Sequence, residues 1–387
     1  MEIPPLRRSG GIAIPPYMKI EIMNATEVVQ NDLDYICLTN KVEFAKMSGK
    51  RLLITGGAGF LGYYLVQSIT HWNEQYSPEK RVDLTVWDNF SRGVPAWLTA
   101  LQETKKLKLA KRDLRDPLPA DMGDIAYIVH AASIASPTIY RQDPIGTMDA
   151  NITGLRSLLD YSLKQKAAGK PIEGFLFFSS SEIYGDPDPA NIPTAEDYRG
   201  NVSCTGPRAC YDEAKRYGET LCVNFARQHG IPVKCARPFN NYGPGLKITD
   251  GRVLPDFCRN VLNGEDIVML SDGLAKRTFC YDADSIMGYY RVLVNGRPGE
   301  AYNIGVETPE ISMRELADRV VALAKELVNY KGKVVLKTSA DPDYLVDNPN
   351  RRCPIITKAR EQIGYQPSIS LEEGLRRSLL WYRENRE

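Results

Sequence analysis

Histidine is nearly absent: His71, His130 and His229 are the only three in 387 residues. A Ser-His-Asp hydrolase or a His-ligated metal enzyme would have to be assembled from these isolated residues, which argues against both. Eight cysteines are scattered with no Cys-x-x-Cys pair, so reduced, packed thiols and no metal site are expected. Neither sign of charge dominates, 49 Lys and Arg against 48 Asp and Glu. The resulting balance provides no broad field for nucleic acid or an anionic membrane, and any anion must be recognised locally. No stretch approaches the roughly 20 apolar residues of a membrane span. The first 19 residues lack the unbroken apolar run of a signal peptide, so a cytoplasmic protein without membrane or nucleic-acid partners is expected. Internal repeats and low-complexity tracts are missing as well.

What is present is ordinary globular composition, 43% hydrophobic and 25% charged. The length suits two or three units of roughly 150 residues each. Residues 1–49 show no clear period and carry two Pro-Pro pairs. They read as an N-terminal extension, a tail leading into a short helix capped by Asn24 or Asn31. From Lys50 onward apolar runs alternate with amphipathic segments, the pattern of an α/β fold with a Rossmann-type doubly wound parallel sheet. Strands are predicted at 51–55, 82–87, 107–111, 125–131, 175–179 and 233–236, with the best helices at 61–70, 145–166 and 211–228. Short strands at 267–270 and 302–304 and helices at 312–327 and 371–383 follow. The division expected is a dinucleotide-binding domain over 50–240 and a smaller C-terminal α/β substrate lobe over 241–387, with 277–305 partly returning to the first domain.

The segment Leu52-Leu-Ile-Thr-Gly-Gly-Ala-Gly-Phe-Leu-Gly62 sets Gly56, Gly59 and Gly62 between an apolar strand and a helix opened by Phe60 and Leu61. Glycines there permit a tight turn, close approach of a pyrophosphate and close helix packing, while the helix N-terminus offers partly positive amides. Asp88, ending the next strand, can accept hydrogen bonds from an adenosine ribose and would repel a 2′-phosphate, which favours NAD over NADP; a turn or helix cap is its alternative role. Asn89, Asp113 and Ala131 complete the expected cofactor wall, although Asp113 suits a surface turn equally well.

Tyr211 and Lys215, four residues apart, occupy one helix face, where the ammonium is expected to lower the phenol pKa and orient the cofactor ribose. The run Phe178-Ser-Ser-Ser-Glu-Ile-Tyr-Gly185 ends a predicted strand, where ligands of open α/β sheets collect.

Together GGAGFLG, SSSEIYGDP and CYDEAK resemble the extended short-chain dehydrogenase/reductase superfamily of nucleotide-sugar enzymes, over nearly everything from Lys50 onward. Within it, GNVSCTGPRACYDEAKRYGETL, RPFNNYGP, TDGRVLPDF, KRTFCY and DNPNRRCPIITKAREQIGYQP are most similar to the UDP-glucuronic acid decarboxylases. The resemblance implies that Tyr211, helped by Ser180, removes the sugar 4-hydroxyl proton as NAD takes a hydride. The resulting ketone lies β to a carboxylate and lets carbon dioxide leave, giving UDP-xylose or UDP-4-keto-xylose. Ser181 and Glu182 match the Ser-Glu pair of the decarboxylases and Arg352 their arginine, implying roles for Glu182 and Arg352 in C5 proton handling and decarboxylation, though the adjacent Arg351 competes for that place. A 4,6-dehydratase would carry Asp at position 181, and a serine hydroxyl is a far weaker acid. Asn240, Arg252 and Arg277 match positions that line the nucleotide-diphosphate pocket, where arginine forks suit phosphate, and Arg352 joins them as a substrate-binding residue.

Two departures stand out. The family segment Asn-Pro-Ile-Lys-Thr-Leu-Lys reads here with Gly146 and Asp149, two positive charges fewer near the expected site, and His-Leu-Ala-Ser reads His130-Ala-Ala-Ser133. His130 is expected to orient a loop. Epimerase or dehydratase activity and a catalytically idle NAD sensor are the rival readings. The helices at 145–166 and 211–228 resemble the pair that builds a homodimer interface in this superfamily.

Overall fold

A computed structural model describes residues 23–337, 339, 346 and 348–386. Seven strands form its central sheet: β1 Arg51–Thr55, β2 Asp83–Asp88, β3 Lys108–Lys111, β4 Tyr127–His130, β5 Gly174–Phe178, β6 Val233–Pro238 and β7 Ala301–Ile304. Their order is β7-β6-β5-β4-β1-β2-β3, every pair parallel. The chain thus runs outward from β1 to β3 and returns to β4 on the other side. That reversal opens a crevice at the carboxyl ends of β1 and β4.

Alternate residues of each strand feed two cores. Leu52, Ile54 and Val86 pack on one face with helix Phe60–Gln75, while Leu53, Ile128, Phe175 and Phe177 pack on the other with Leu155, Leu158 and Phe225. Helices Pro144–Ala167 and Ala209–His229 cover that second face and pack on each other. Observed ends differ from the predicted ones by a few residues, as fraying ends do. Helix Asp282–Asn295, which the sequence reading missed, lies across the first face and is buried on nearly every side, so it carries no amphipathic stripe to betray it.

Beyond the sheet, short strands build the lobe: Asn241–Tyr242 pairs with Cys280–Tyr281, Ile267–Met269 with Val334–Leu336, and Lys276–Arg277 lies between Ile311–Ser312 and Arg351–Arg352. Helices Val253–Asn263, Met313–Val328 and Leu371–Glu384 cover them.

Asn24 is the cap that starts helix Ala25–Thr39: its Oδ1 accepts from the Glu27 amide at 2.9 Å and Glu27 Oε2 accepts from the Asn24 amide at 2.8 Å. Asn31 lies inside this helix, and the tail expected before it falls outside the described residues. The helix packs against Phe60–Gln75, Asp282–Asn295 and Leu371–Glu384. Its buried Asp32 accepts hydrogen bonds from Tyr64 (2.6 Å), Tyr281 (2.6 Å) and Arg377 (2.5 Å), joining the sheet side to the lobe. Among the described residues no helix is long and apolar enough to cross a membrane.

Candidate active site

The glycine loop divides its work among three residues. Gly56 takes φ +74°, and a Cβ there would lie 2.5 Å from the Ala132 amide nitrogen. A Cβ on Gly62 would stand 2.3 Å from the Gly57 carbonyl oxygen, so that position serves close packing. Gly59 meets only the Gly56 carbonyl, at 3.2 Å, and lines the open cleft at the start of helix Phe60–Gln75.

Asp88 steadies this loop: its Oδ2 accepts from the Ala58 amide at 3.0 Å and Oδ1 from Phe90 at 2.8 Å, while burial raises its pKa. Asn89 donates to Asp113 at 3.3 Å. Arg115 grips Asp113 through its side chain and its amide, holding the carboxyl well below the usual range. The surface-turn role thus describes this carboxylate's present partners. His130 bonds Thr55 Oγ1 through Nδ1 at 2.8 Å, and burial drives its pKa down to about 3. A ring that stays neutral at ordinary pH fits an orienting role.

Ser180 lies in the buried run Ser179, Ser180 and Ser181 that follows β5. Its Oγ accepts from the Glu182 amide at 3.1 Å, and its side chain lies beside the Tyr211 hydroxyl. Lys215, one turn beyond Tyr211, donates to the Phe178 carbonyl at 2.8 Å and lies 5.6 Å from the Tyr211 ring centroid. The expected lowering of the phenol pKa by Lys215 is not found. Burial instead pushes the Tyr211 phenol up to about 12, opposed mainly by the Ser180 side chain, and the same burial pushes the Lys215 ammonium down to about 7.

The Glu182 carboxylate lies in the fork of Arg352, with both contacts at 2.6 Å, and a third cationic contact comes from Arg208, also at 2.6 Å. Although burial opposes it, the pair of guanidinium groups holds this carboxyl well below its usual range. Arg351 turns to Glu310 instead, at 2.8 and 2.7 Å, which resolves the ambiguity between the neighbouring arginines in favour of Arg352 as the partner of Glu182. Buried Ser181 lies beside them on the cleft wall. Arg208 was missed by sequence reasoning, because a cation before a helix reads as a solvated charge.

Arg277 donates to the Lys276 carbonyl at 2.7 Å and to the Pro349 carbonyl. Burial, followed by the like charge of Arg352, lowers its pKa to about 9, a penalty that an anionic ligand would relieve. Arg252 pairs with Asp250 at 3.0 Å and stands 5.8 Å from the Phe60 ring centroid, bridging lobe and glycine loop. Asn240 adopts φ +43° and donates to the Thr278 carbonyl at 2.8 Å.

All the predicted site residues line one cleft of about 1740 Å³: the glycine loop with Phe60, Leu61, Asp88, Asn89, Asp113 and Ala131 on the cofactor side; Ser180, Ser181, Glu182, Tyr211 and Lys215 at the centre; and Asn240, Arg252, Arg277 and Arg352 beyond. Gly146 and Asp149 are not on its wall. A Cβ at 146 would strike the Asp143 carboxylate, which caps this helix, and Asp149 is exposed. Asp143 and Ala150, which flank Gly146 and Asp149 in the chain, do line the cleft.

The sequence profile of the NAD dependent epimerase/dehydratase family matches residues 52–305. The chain belongs to that family. It is 37% identical over 328 residues to UDP-glucuronic acid decarboxylase 5 of Arabidopsis thaliana, covering 85% of this chain and 88% of that protein. UDP-glucuronic acid decarboxylase 1 of Xenopus tropicalis is 34% identical, covering 87% and 73%. Among solved structures, a double mutant of the dTDP-glucose 4,6-dehydratase DesIV from Streptomyces venezuelae, with NAD bound, superposes with TM-score 0.73 at 26% identity, covering 87% of this chain and 98% of that one. The cleft fits NAD on its own geometry. Gly59 leaves open the space a methyl group would fill, the helix Phe60–Gln75 begins at the cleft wall, and Asp88 sets a carboxylate on the same wall at the end of β2.

Proposed function

We propose that the chain is an NAD-dependent decarboxylase of UDP-glucuronic acid. The glycine loop, Asp88, Tyr211 and Lys215 hold the coenzyme, which when bound supplies a hydride acceptor for C4 of the sugar. Tyr211 first gives up its own proton to solvent and then, as the phenolate, receives the proton of the 4-hydroxyl, which Ser180 orients. Once C4 is a ketone, the carboxylate on C5 is β to a carbonyl and carbon dioxide departs without a metal. Arg352 takes the sugar carboxylate, the Glu182 carboxylate orders the water that returns a proton to C5 once carbon dioxide has left, and Arg252 and Arg277 take the diphosphate.

The observation that carries this reading is the state of Glu182. Elimination of water, as in a 4,6-dehydratase, calls for an acid beside the sugar, but Arg352 and Arg208 keep Glu182 ionised and position 181 is a serine. Mass spectrometry of products from a panel of sugar nucleotides tests the proposal. UDP-glucuronate should release carbon dioxide and yield UDP-xylose or UDP-4-keto-xylose. Turnover of UDP-glucose with no carbon dioxide from UDP-glucuronate would refute it.

The same reading includes a homodimer in a reducing, cytoplasmic setting. Ile145, Met148 and Tyr217 stand exposed on the two mutually packed helices, Pro144–Ala167 and Ala209–His229, and all eight cysteines are free. Light scattering should give twice the chain mass, and Ile145→Asp should halve it; a monomeric parent protein at micromolar concentration would refute the dimer.

A further inference from the structure

Glu182 is held from two sides. Arg352 reaches it from the short strand Arg351–Arg352 with two nitrogens, and Arg208 reaches Oε2 from the N-cap of the helix that carries Tyr211. The Arg208 carbonyl in turn accepts from the Tyr211 and Asp212 amides at 3.0 and 3.1 Å. Both guanidinium groups are largely buried, with 12% and 9% side-chain exposure, and they share the Glu182 carboxylate, while Asp212 Oδ2 stands 4.0 Å from Arg208 Nε as a second anion. The other groups facing this cluster are Asp212, Arg277, Tyr140 and Tyr211.

This inference rests on the decarboxylase reading. An incoming sugar carboxylate competes with Glu182 for Arg352. Were Arg352 its sole partner, Glu182 would be stranded without a counter-ion in a dry cleft, where burial favours the neutral acid. We propose that Arg208 is a positioning residue: by sharing the Glu182 carboxylate with Arg352, it keeps Glu182 ionised and in place while Arg352 exchanges partners with the substrate. Arg208 thereby ties the C5 end of the reaction to the turn that sets Tyr211.

The test compares Arg208→Gln with Arg208→Lys in the full chain. Infrared titration follows the Glu182 carboxylate, assigned by its loss in Glu182→Gln, and pH profiles of carbon dioxide release from UDP-glucuronate run beside it. In Arg208→Gln the Glu182 midpoint should rise by about one pH unit or more, adding an acid limb to the profile. At pH values below that midpoint kcat should fall about tenfold or more with KM changed less than about threefold, and Arg208→Lys should recover both the midpoint and most of kcat. An unchanged midpoint in Arg208→Gln, or equal loss of kcat in both variants with the midpoint unmoved, overturns the proposal. If the unaltered protein releases no carbon dioxide, the decarboxylase reading fails, while the infrared midpoint still decides the role of Arg208.

Discussion

Tyr140 and Tyr211 lie face to face, their ring centroids 5.3 Å apart and their planes within 10° of parallel. Both rings are buried, at 1% and 7% exposure, so the stack covers a face of Tyr211 and leaves its hydroxyl on the side of Ser180. A phenol held this way is protonated at neutral pH and must lose its own proton before it can accept one.

Tyr211→Phe retains the stacked ring and removes only the hydroxyl. Carbon dioxide release from UDP-glucuronate should fall by about 10²- to 10⁴-fold, the usual worth of a positioned acid or base. Fluorescence titration should find NAD affinity and thermal midpoint nearly unchanged. A loss of only twofold would exclude Tyr211 from proton transfer.

Lys215 provides a pH test with a definite sign. Burial lowers its folded pKa to about 7 from 10.5, so the ammonium opposes folding in full below about pH 7. Between those values the unfolded chain still binds a proton that the folded chain has released, and this contribution makes stability rise with pH. Lys215→Met removes the penalty at a cost of about 1 kcal/mol for the lost bond to the Phe178 carbonyl. Urea unfolding should therefore find the variant more stable than the parent at neutral pH, the gain shrinking as pH rises toward 10.5, although turnover collapses. A variant less stable at neutral pH would mean that burial of the charge is not what lowers the pKa.

Two alanine substitutions in one loop should separate folding from coenzyme binding. Gly62→Ala drives a methyl group against the Gly57 carbonyl and should cost about 1–3 kcal/mol of stability. Gly59→Ala, whose methyl would meet only the Gly56 carbonyl oxygen at 3.2 Å, should cost less, about 1 kcal/mol. Yet Gly59→Ala should weaken NAD binding about tenfold or more, since its methyl fills the pyrophosphate cradle. Calorimetric unfolding and NAD titration on both variants check the contrast, and equal thermal losses would contradict it.

Asp32 and Arg377 should behave as a buried pair. Removing either partner strands the other, so Asp32→Ala is expected to cost about 3–5 kcal/mol in urea unfolding. The double variant Asp32→Ala/Arg377→Met should lose less than the sum of the singles. Additive losses would show that the two groups do not couple.

The parts of the molecule legible in the sequence are those whose cause is local. The strand before Gly56, the turn itself and the helix after Gly62 are adjacent in the chain, and Tyr211 and Lys215 are fixed by one helical turn. Asn24 was readable as a cap, though Asn31 competed until packing decided. By contrast, Arg208 acquires its meaning from Glu182, and Glu182 from Arg352, 170 residues away. The expected effect of Lys215 on Tyr211 failed for a related reason: spacing shows which groups are neighbours, but burial set by the whole fold decides which ionised form each prefers. Gly146 shows the same limit. It read as a lost lysine, and only the fold adds that a side chain there would push on the Asp143 carboxylate that caps the helix.

The family profile starts at residue 52, after the helices Ala25–Thr39 and Lys41–Met47. Those helices contribute Ile36, Cys37, Phe44 and Met47 to the same apolar core as helix Phe60–Gln75. Anyone trimming the gene to the profile would peel this cover away, leaving a greasy seam facing water beside two phenols and a guanidinium bereft of Asp32. Such a shortened product should precipitate on expression, so crystallisation or assay work is best begun upstream of Asn24.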